Sequence, residues 1–147
     1  CTSMDLLPTL ARLAGTTEPD DRIIDGRDIR PLLTDQPGAT TPHDAFFYYG
    51  SGTRSLDAVR AGRWKLHLDK DHLYDLETDV GETTNLFERH PDVVRELRDR
   101  ADACRDDLGD ARTGIEGANC RPVGRVDSPR PLLPISEADL WVRAVYD

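Results

Sequence analysis

The chain has 147 residues, of which 37% are hydrophobic and 32% charged, which is one domain's worth of sequence and enough to bury a core. A formal net charge of -9 excludes the basic face with which a protein neutralises nucleic-acid phosphates, so no nucleic-acid partner is expected. No Lys/Arg cluster flanks an amphipathic helix and no run approaches the ~18 apolar residues of a span, so no membrane partner is expected either.

The chain opens on Cys1 rather than Met, with a helix signal at once, as a truncated sequence would. Thr2 or Ser3 supplies the N-cap and Asp5 the acidic first turn. Leu6, Leu10, Leu13 and Ala14 fall on one face, Pro8 is tolerated in the first turn, and Gly15 ends the helix. From Thr16 to Asp44 the chain is punctuated by Pro19, Gly26, Pro31, Pro37, Gly38 and Pro42. Only Ile29 to Leu33 reads there as a short buried element within a covering loop.

Between Ala45 and Leu76 the period changes to two. Phe46 to Tyr49 is aromatic and strand-prone, Leu56, Ala58 and Arg60 alternate with Asp57, Val59 and Ala61, and Trp64, Leu66 and Leu68 alternate with Lys65 and His67. Reversals at Ala61 to Arg63 and Asp69 to Asp71 lead to a short strand from His72 to Leu76. Such short connections predict a four-stranded antiparallel meander with one wet face. Its other face needs a cover. The helix predicted from Pro91 to Leu108 provides one, because Val94, Leu97, Ala101, Cys104 and Leu108 recur at three and four residues on an otherwise charged helix. After Gly109 periodicity is lost until Ser136-Glu-Ala-Asp139, a capping-box pattern ahead of a short helix carrying Leu140, Trp141, Ala144 and Val145. The fold class is therefore α+β, a small four-stranded antiparallel sheet packed by a C-terminal helix.

Chemistry-bearing clusters are sparse. Cys1, Cys104 and Cys120 are odd in number and widely spaced, which rules out a complete intrachain disulfide framework and leaves no C-x-x-C pair. Cys104 falls on the helical apolar stripe as a small hydrophobe. His43, His67, His72 and His90 lack the paired spacing of a zinc site. In Leu73-Tyr-Asp-Leu-Glu-Thr-Asp-Val-Gly-Glu-Thr-Thr-Asn-Leu86, the residues Asp75, Asp79 and Glu82 suggest a calcium loop but lack its Asp-x-Asp/Asn-x-Asp/Asn-Gly spacing. Each residue there has a structural role instead: Leu73 and Leu76 bury, Asp79 to Gly81 turns with Gly81 free to adopt positive φ, Asn85 bonds the local backbone and Leu86 anchors the chain. The loop Gly50-Ser-Gly-Thr-Arg-Ser55 carries Arg54 among small residues and is flanked by Tyr48 and Tyr49. These three form a candidate substrate rim for an anion, with a solvated hairpin as the plain alternative.

The Leu73 to Leu86 stretch resembles the L-Y-D-L-x-x-D-P-x-E-x-x-N-L signature of sulfatases, with Val80 in place of the usual Pro. Ser3-Met-Asp-Leu-Leu-Pro-Thr-Leu-Ala-Arg-Leu-Ala-Gly15 is similar to the family's D-L-x-P-T-L-x-x-L-A-G helix, and Asp25-Gly-Arg-Asp-Ile-Arg-Pro-Leu-Leu33 to the D-G-x-D-L-x-P-L-L segment that follows. Phe46 to Tyr49 and Ala58 to Leu66 occupy the matching places in the same order, so the resemblance covers residues 3 to 108. Leu108-Gly-Asp110, Thr113-Gly114 and Asn119 to Val126 resemble the tails of some bacterial arylsulfatase-like members.

The resemblance implies the C-terminal subdomain of an alkaline-phosphatase-like sulfatase fold. Residues 1–44 would be a helix and covering loop leading from a missing N-terminal catalytic domain, 45–108 the sheet and helix, and 109–147 an irregular tail with a short helix. It further implies hydrolysis of sulfate esters by a formylglycine, made from Cys or Ser in a C/S-x-P-x-R context, with a calcium ion polarising the sulfate. Neither cofactor is expected on this chain. Cys120-Arg-Pro-Val-Gly-Arg125 begins as that motif does but has Gly124 where its Arg belongs, and Cys1 is followed by neither Pro nor Arg. The chain alone is expected to be catalytically inactive, with the missing domain as its partner and the sulfate ester reached through the parent enzyme. Two alternatives stand beside this reading: a non-catalytic accessory or assembly module, and part of a related phosphoesterase or phosphonate hydrolase.

Overall fold

The computed structural model describes residues 1–121 together with residues 127 and 128. A 3-10 turn, Ser3–Asp5, leads into helix α1 (Leu6–Leu13), and a one-turn helix α2 (Arg30–Leu33) interrupts the long connection that follows. Strands β1 (Phe46–Tyr49), β2 (Leu56–Ala61), β3 (Trp64–His67) and β4 (His72–Asp75) pair antiparallel in the order β1-β2-β3-β4. A 3-10 turn, Phe87–Arg89, precedes helix α3 (Pro91–Leu108). The meander and its covering helix are the architecture that the residue periodicity predicts. The Ser136 capping pattern and the helix expected after it lie outside the described residues.

α3 lies over the sheet as its stripe requires. Val94, Leu97, Ala101 and Cys104 bury against Leu56, Val59, Leu66 and Leu73, and Phe47, Ala61 and Trp64 close the margins. Burying each large apolar side chain contributes roughly 1.5–3 kcal/mol, so this interface is the main source of cohesion. The opposite sheet face carries Arg60, Lys65, His67 and His72, as a half-wet antiparallel sheet should.

Three local expectations are corrected. Strict alternation in β2 fails, since Leu56 and Val59 are both buried in the core. The register shows why: Tyr48 pairs with Ala58 but Tyr49 pairs with Leu56, so Asp57 is an extra residue and the resulting bulge turns Leu56 inward. In the segment Ile29 to Leu33 only Ile29 is fully buried, whereas Leu33 is 61% exposed. Finally, positive φ in the turn after β4 falls on Glu82, at 53°, and not on Gly81. The Glu82 carboxylate accounts for the difference, being tied to Lys65 and His67 across the sheet.

The largest surprise is α1. Its leucines point away from the protein, with Leu6 51%, Leu10 59% and Leu13 61% exposed, while Asp5, Pro8 and Thr9 are buried. Asp5 does more than complement a helix dipole. Its carboxylate accepts hydrogen bonds from the backbone N–H groups of Thr2 at 2.8 Å and Arg27 at 2.9 Å, and pairs with the His43 ring at 2.6 Å. Burial alone would raise its pKa, but the Arg27 and Thr2 amides and His43 outweigh burial and hold it at about 2. Thr9 Oγ1 donates to the Asp5 carbonyl and accepts from Ile29 N–H. Gly26 makes this close crossing feasible, because a Cβ there would lie 1.9 Å from the Met4 carbonyl oxygen.

Candidate functional site

The strongest structural feature of the signature segment is how fully its polar groups are used. Asp75 accepts from Arg63 Nε at 2.7 Å, from Glu77 N–H at 3.1 Å and from the Thr78 hydroxyl at 2.9 Å. The Arg63 guanidinium, chiefly, holds its pKa down at about 2. Asp79 caps the next turn by accepting from Thr83 and Thr84 N–H, each at 2.8 Å. Asn85 Oδ1 accepts from Leu73 N–H and Phe87 N–H, both at 3.0 Å, and joins strand to helix approach. Glu82 bridges Lys65 Nζ at 2.6 Å and His67 Nε2 at 2.7 Å. Burial raises the Glu82 pKa, and the hydrogen bonds from Lys65 and His67 more than reverse that. Asp75, Asp79 and Glu82 thus each serve different donors and form no common cradle. Among the described residues no three His, Cys, Asp or Glu side chains group to hold a metal ion, so calcium does not fit this part of the chain.

The Gly50 to Ser55 loop closes the hairpin between β1 and β2. Gly50 N–H donates to the Ser55 carbonyl at 2.9 Å, Gly52 adopts φ 77°, and Arg54 adopts φ 53°. Left-handed backbone at a non-glycine residue costs on the order of 1 kcal/mol and points to an imposed conformation. A Cβ on Gly50 would lie 2.5 Å from Thr53 Oγ1 and from Asp57 Oδ2, so the loop is closed tightly on itself. The Arg54 side chain is exposed and pairs with no carboxylate among the described residues.

The two tyrosines beside this loop face opposite ways. Tyr48 lies on the wet face, edge-on to Phe46 at 4.8 Å, with Lys65 Nζ 4.9 Å from its ring centre. Together with Ser51, Thr53, Lys70 and Arg112, Tyr48 and Lys65 line an open cleft of about 550 Å³. Both lysines of the chain therefore sit at one place on an acidic protein. Tyr49 turns toward α3, where its hydroxyl donates to the Gly109 carbonyl at 2.7 Å and lies 3.6 Å from Cys104 Sγ. Burial and the neighbouring thiol push the Tyr49 pKa up, and burial pushes up the Cys104 thiol. Tyr48 and the loop before Arg54 thus share a cleft that Tyr49 does not line.

Sequence reasoning missed three polar centres: Asp5 with His43, Glu82 with Lys65 and His67, and Asp110 beneath the hairpin loop. Asp5, Glu82 and Asp110 all stood in recognised motifs, but those motifs gave no partners. Each centre joins residues at least 15 positions apart, a range that helix and strand periodicity does not report.

No family model matches the chain. It is similar to an arylsulfatase of Hemicentrotus pulcherrimus, 48% identical over 66 residues, covering 45% of this chain and 11% of the relative. Arylsulfatase A of Bos taurus is 34% identical over 121 residues, covering 64% of this chain and 24% of the relative. Among solved structures, one described with the metabolism of multiple glycosaminoglycans by Bacteroides thetaiotaomicron matches with a TM-score of 0.55 at 25% identity, over 69% of this chain and 24% of that one. A 2-O GAG sulfatase matches with a TM-score of 0.50 at 27% identity, over 69% of this chain and 24% of that one. The chain therefore spans about a quarter or less of the relatives it matches.

Proposed function

Since this chain is a sulfatase-family sequence with the fold of that family's C-terminal subdomain, we propose that it serves as the C-terminal part of an enzyme that hydrolyses sulfate esters. The observation that supports this most is order: the α1 helix, the Gly26 crossing, the sheet, the Asp75 to Asn85 turn and α3 follow one another as the family's motifs do. In that enzyme, formylglycine would supply the nucleophile and calcium would polarise the sulfate, both held by residues of a preceding domain. The described residues of this chain support that domain and do not replace it.

The leucine face of α1 supports the same division. Leu6, Leu7, Leu10 and Leu13 are too exposed and too contiguous for a surface meant to stay in water, and the remainder of the sulfatase fold is their proposed cover. At the hairpin, Arg54 would meet an anionic substrate at the rim of the catalytic pocket, with Tyr48 beside it and Tyr49 bracing the loop from behind. An arylsulfatase assay with 4-nitrophenyl sulfate tests the division: this chain alone is expected to release no nitrophenol, and turnover by the isolated chain would refute the assignment. Arg54→Ala in the enzyme containing this chain tests the rim, with a drop of tenfold or more in kcat/KM expected. An unchanged kcat/KM on several sulfate esters would remove Arg54 from it.

A further inference from the structure

The Gly50 to Ser55 loop is fastened from outside the hairpin, by the residues that follow α3. Asp110 is 1% exposed, and its carboxylate faces three donors. Oδ1 accepts from Leu56 N–H at 3.2 Å and from Arg112 N–H at 2.9 Å, while Oδ2 accepts from Arg105 Nε at 2.9 Å. Its neighbours complete the attachment. Ala111 N–H donates to the Arg54 carbonyl at 3.0 Å, the Arg112 guanidinium pairs with Asp57, and Gly109 takes the Tyr49 hydroxyl at 2.7 Å. Both ends of the loop are thus tied to residues 109–112, whereas its own internal bonds include weak ones, such as Thr53 N–H to the Gly50 carbonyl at 3.3 Å.

The anchor is itself rigidly placed. Arg105 belongs to the last turn of α3, Asp110 bridges to Ile115, and Gly117 lies so close beneath that a Cβ there would come 2.2 Å from Gly109 N. From the core helix to the loop there is a continuous path: α3, Arg105 and Asp110, then Leu56 by hydrogen bond and Arg54 through the adjoining Ala111. The left-handed φ of Arg54 is one that a non-glycine residue adopts at a cost, and the Ala111 bond to its carbonyl supplies external support for it.

We propose that Asp110 is a positioning residue that fixes the conformation of the Gly50 to Ser55 loop and so sets where Arg54 presents its guanidinium. What the loop is for rests on the rim reading of Arg54; how the loop is held does not. The test therefore has two separate readouts. In the 147-residue chain, Asp110→Ala is expected to speed amide hydrogen exchange in residues 50–57 by at least tenfold while Leu97 and Ala101 in α3 stay protected. Asp110→Asn keeps the Oδ1 acceptor and loses only the charged pair with Arg105, so exchange should rise less; it serves also if the alanine variant does not fold. Unchanged loop exchange in both variants would overturn the proposal.

In the enzyme containing this chain, Asp110→Ala should raise KM several-fold with kcat little altered, and adding it to Arg54→Ala should produce no loss beyond that of Arg54→Ala alone. Fully additive losses would sever Asp110 from Arg54 and overturn that half. A silent Arg54→Ala with a loosened loop would instead remove the rim reading and leave Asp110 as the loop's anchor.

Discussion

The two principal helices use amphipathicity in opposite ways. α3 buries Val94, Leu97, Ala101 and Cys104 on the sheet and leaves its charges in water. α1 buries Asp5, Pro8 and Thr9 and leaves its leucines in water. An apolar stripe therefore marks a face that wants a partner, and the partner need not be within the same chain segment. What attaches α1 is a set of hydrogen bonds around one buried carboxylate, which are directional and sensitive to protonation where the α3 interface is neither.

Substitution at Leu97 would break the α3 side of this comparison most severely. Leu97 is 2% exposed at the centre of the core, and Leu97→Ala should cost about 2–5 kcal/mol by urea unfolding of the whole sheet and helix. A cost below about 1 kcal/mol would mean that α3 does not carry the core. Gly26→Ala acts on the α1 side. The added methyl meets the Met4 carbonyl, so the crossing must open, at about 1–3 kcal/mol of local stability. Hydrogen exchange should then rise over residues 1–30 while α3 remains protected. Loss of protection in both would show that the two regions unfold together.

Protonation sharpens the contrast. Asp5 has a folded pKa of about 2, below the ordinary ~3.9 of an aspartate, so its contribution is present in full above about pH 5 and is lost as pH falls toward 2. The depression corresponds to stability on the order of 2 kcal/mol, confined to the α1 attachment. Exchange at Arg27 and Ile29, whose amides take part in that attachment, should accelerate with acid before exchange in α3 does. Asp5→Asn should abolish the pH dependence. A slope that survives the substitution would place the titrating group elsewhere, for example at Asp110, whose pKa is also lowered once its hydrogen bonds outweigh burial.

Much of this fold was legible because periodicity reports contacts between neighbours in sequence and faces of regular elements. α3 begins at Pro91 and ends at Leu108 as its stripe and flanking Gly109 indicate, and the reversal at Gly62 follows from one glycine with φ 55° between paired Ala61 and Trp64. The bulge at Asp57 was not legible, because nothing in Leu56-Asp-Ala-Val59 marks the extra residue without its partner strand. Glu82 escaped for a related reason. Its left-handed φ is set by Lys65 and His67 on another strand, while the nearby Gly81 carried the only local signal. At the candidate site Arg54 stood out as a cation on a flexible loop, but the opposed orientations of Tyr48 and Tyr49 depend on the pleat and the Asp57 bulge. Asp110, buried and shared between helix, strand and loop, had no periodic signal at all.

The smallest expected effect is the most telling for α1. Leu10 and Leu13 are more than half exposed, so changing both to Ser should leave the stability of this chain within about 0.5 kcal/mol of its starting value. The same change should make the chain less prone to associate, which size-exclusion chromatography would record as a narrower monomer peak. In the enzyme containing this chain the two leucines should instead be buried, and the double substitution should cost several kcal/mol, as for other large-to-small changes in a packed interior. A cost of about 2 kcal/mol in the isolated chain would mean that α1 already covers its leucines. A sharp dimer abolished by the substitutions would identify a second copy as the cover and favour the assembly-module reading. Neutrality alone combined with a large cost in the complete enzyme would show that α1 is built inside out because its core lies in the neighbouring domain.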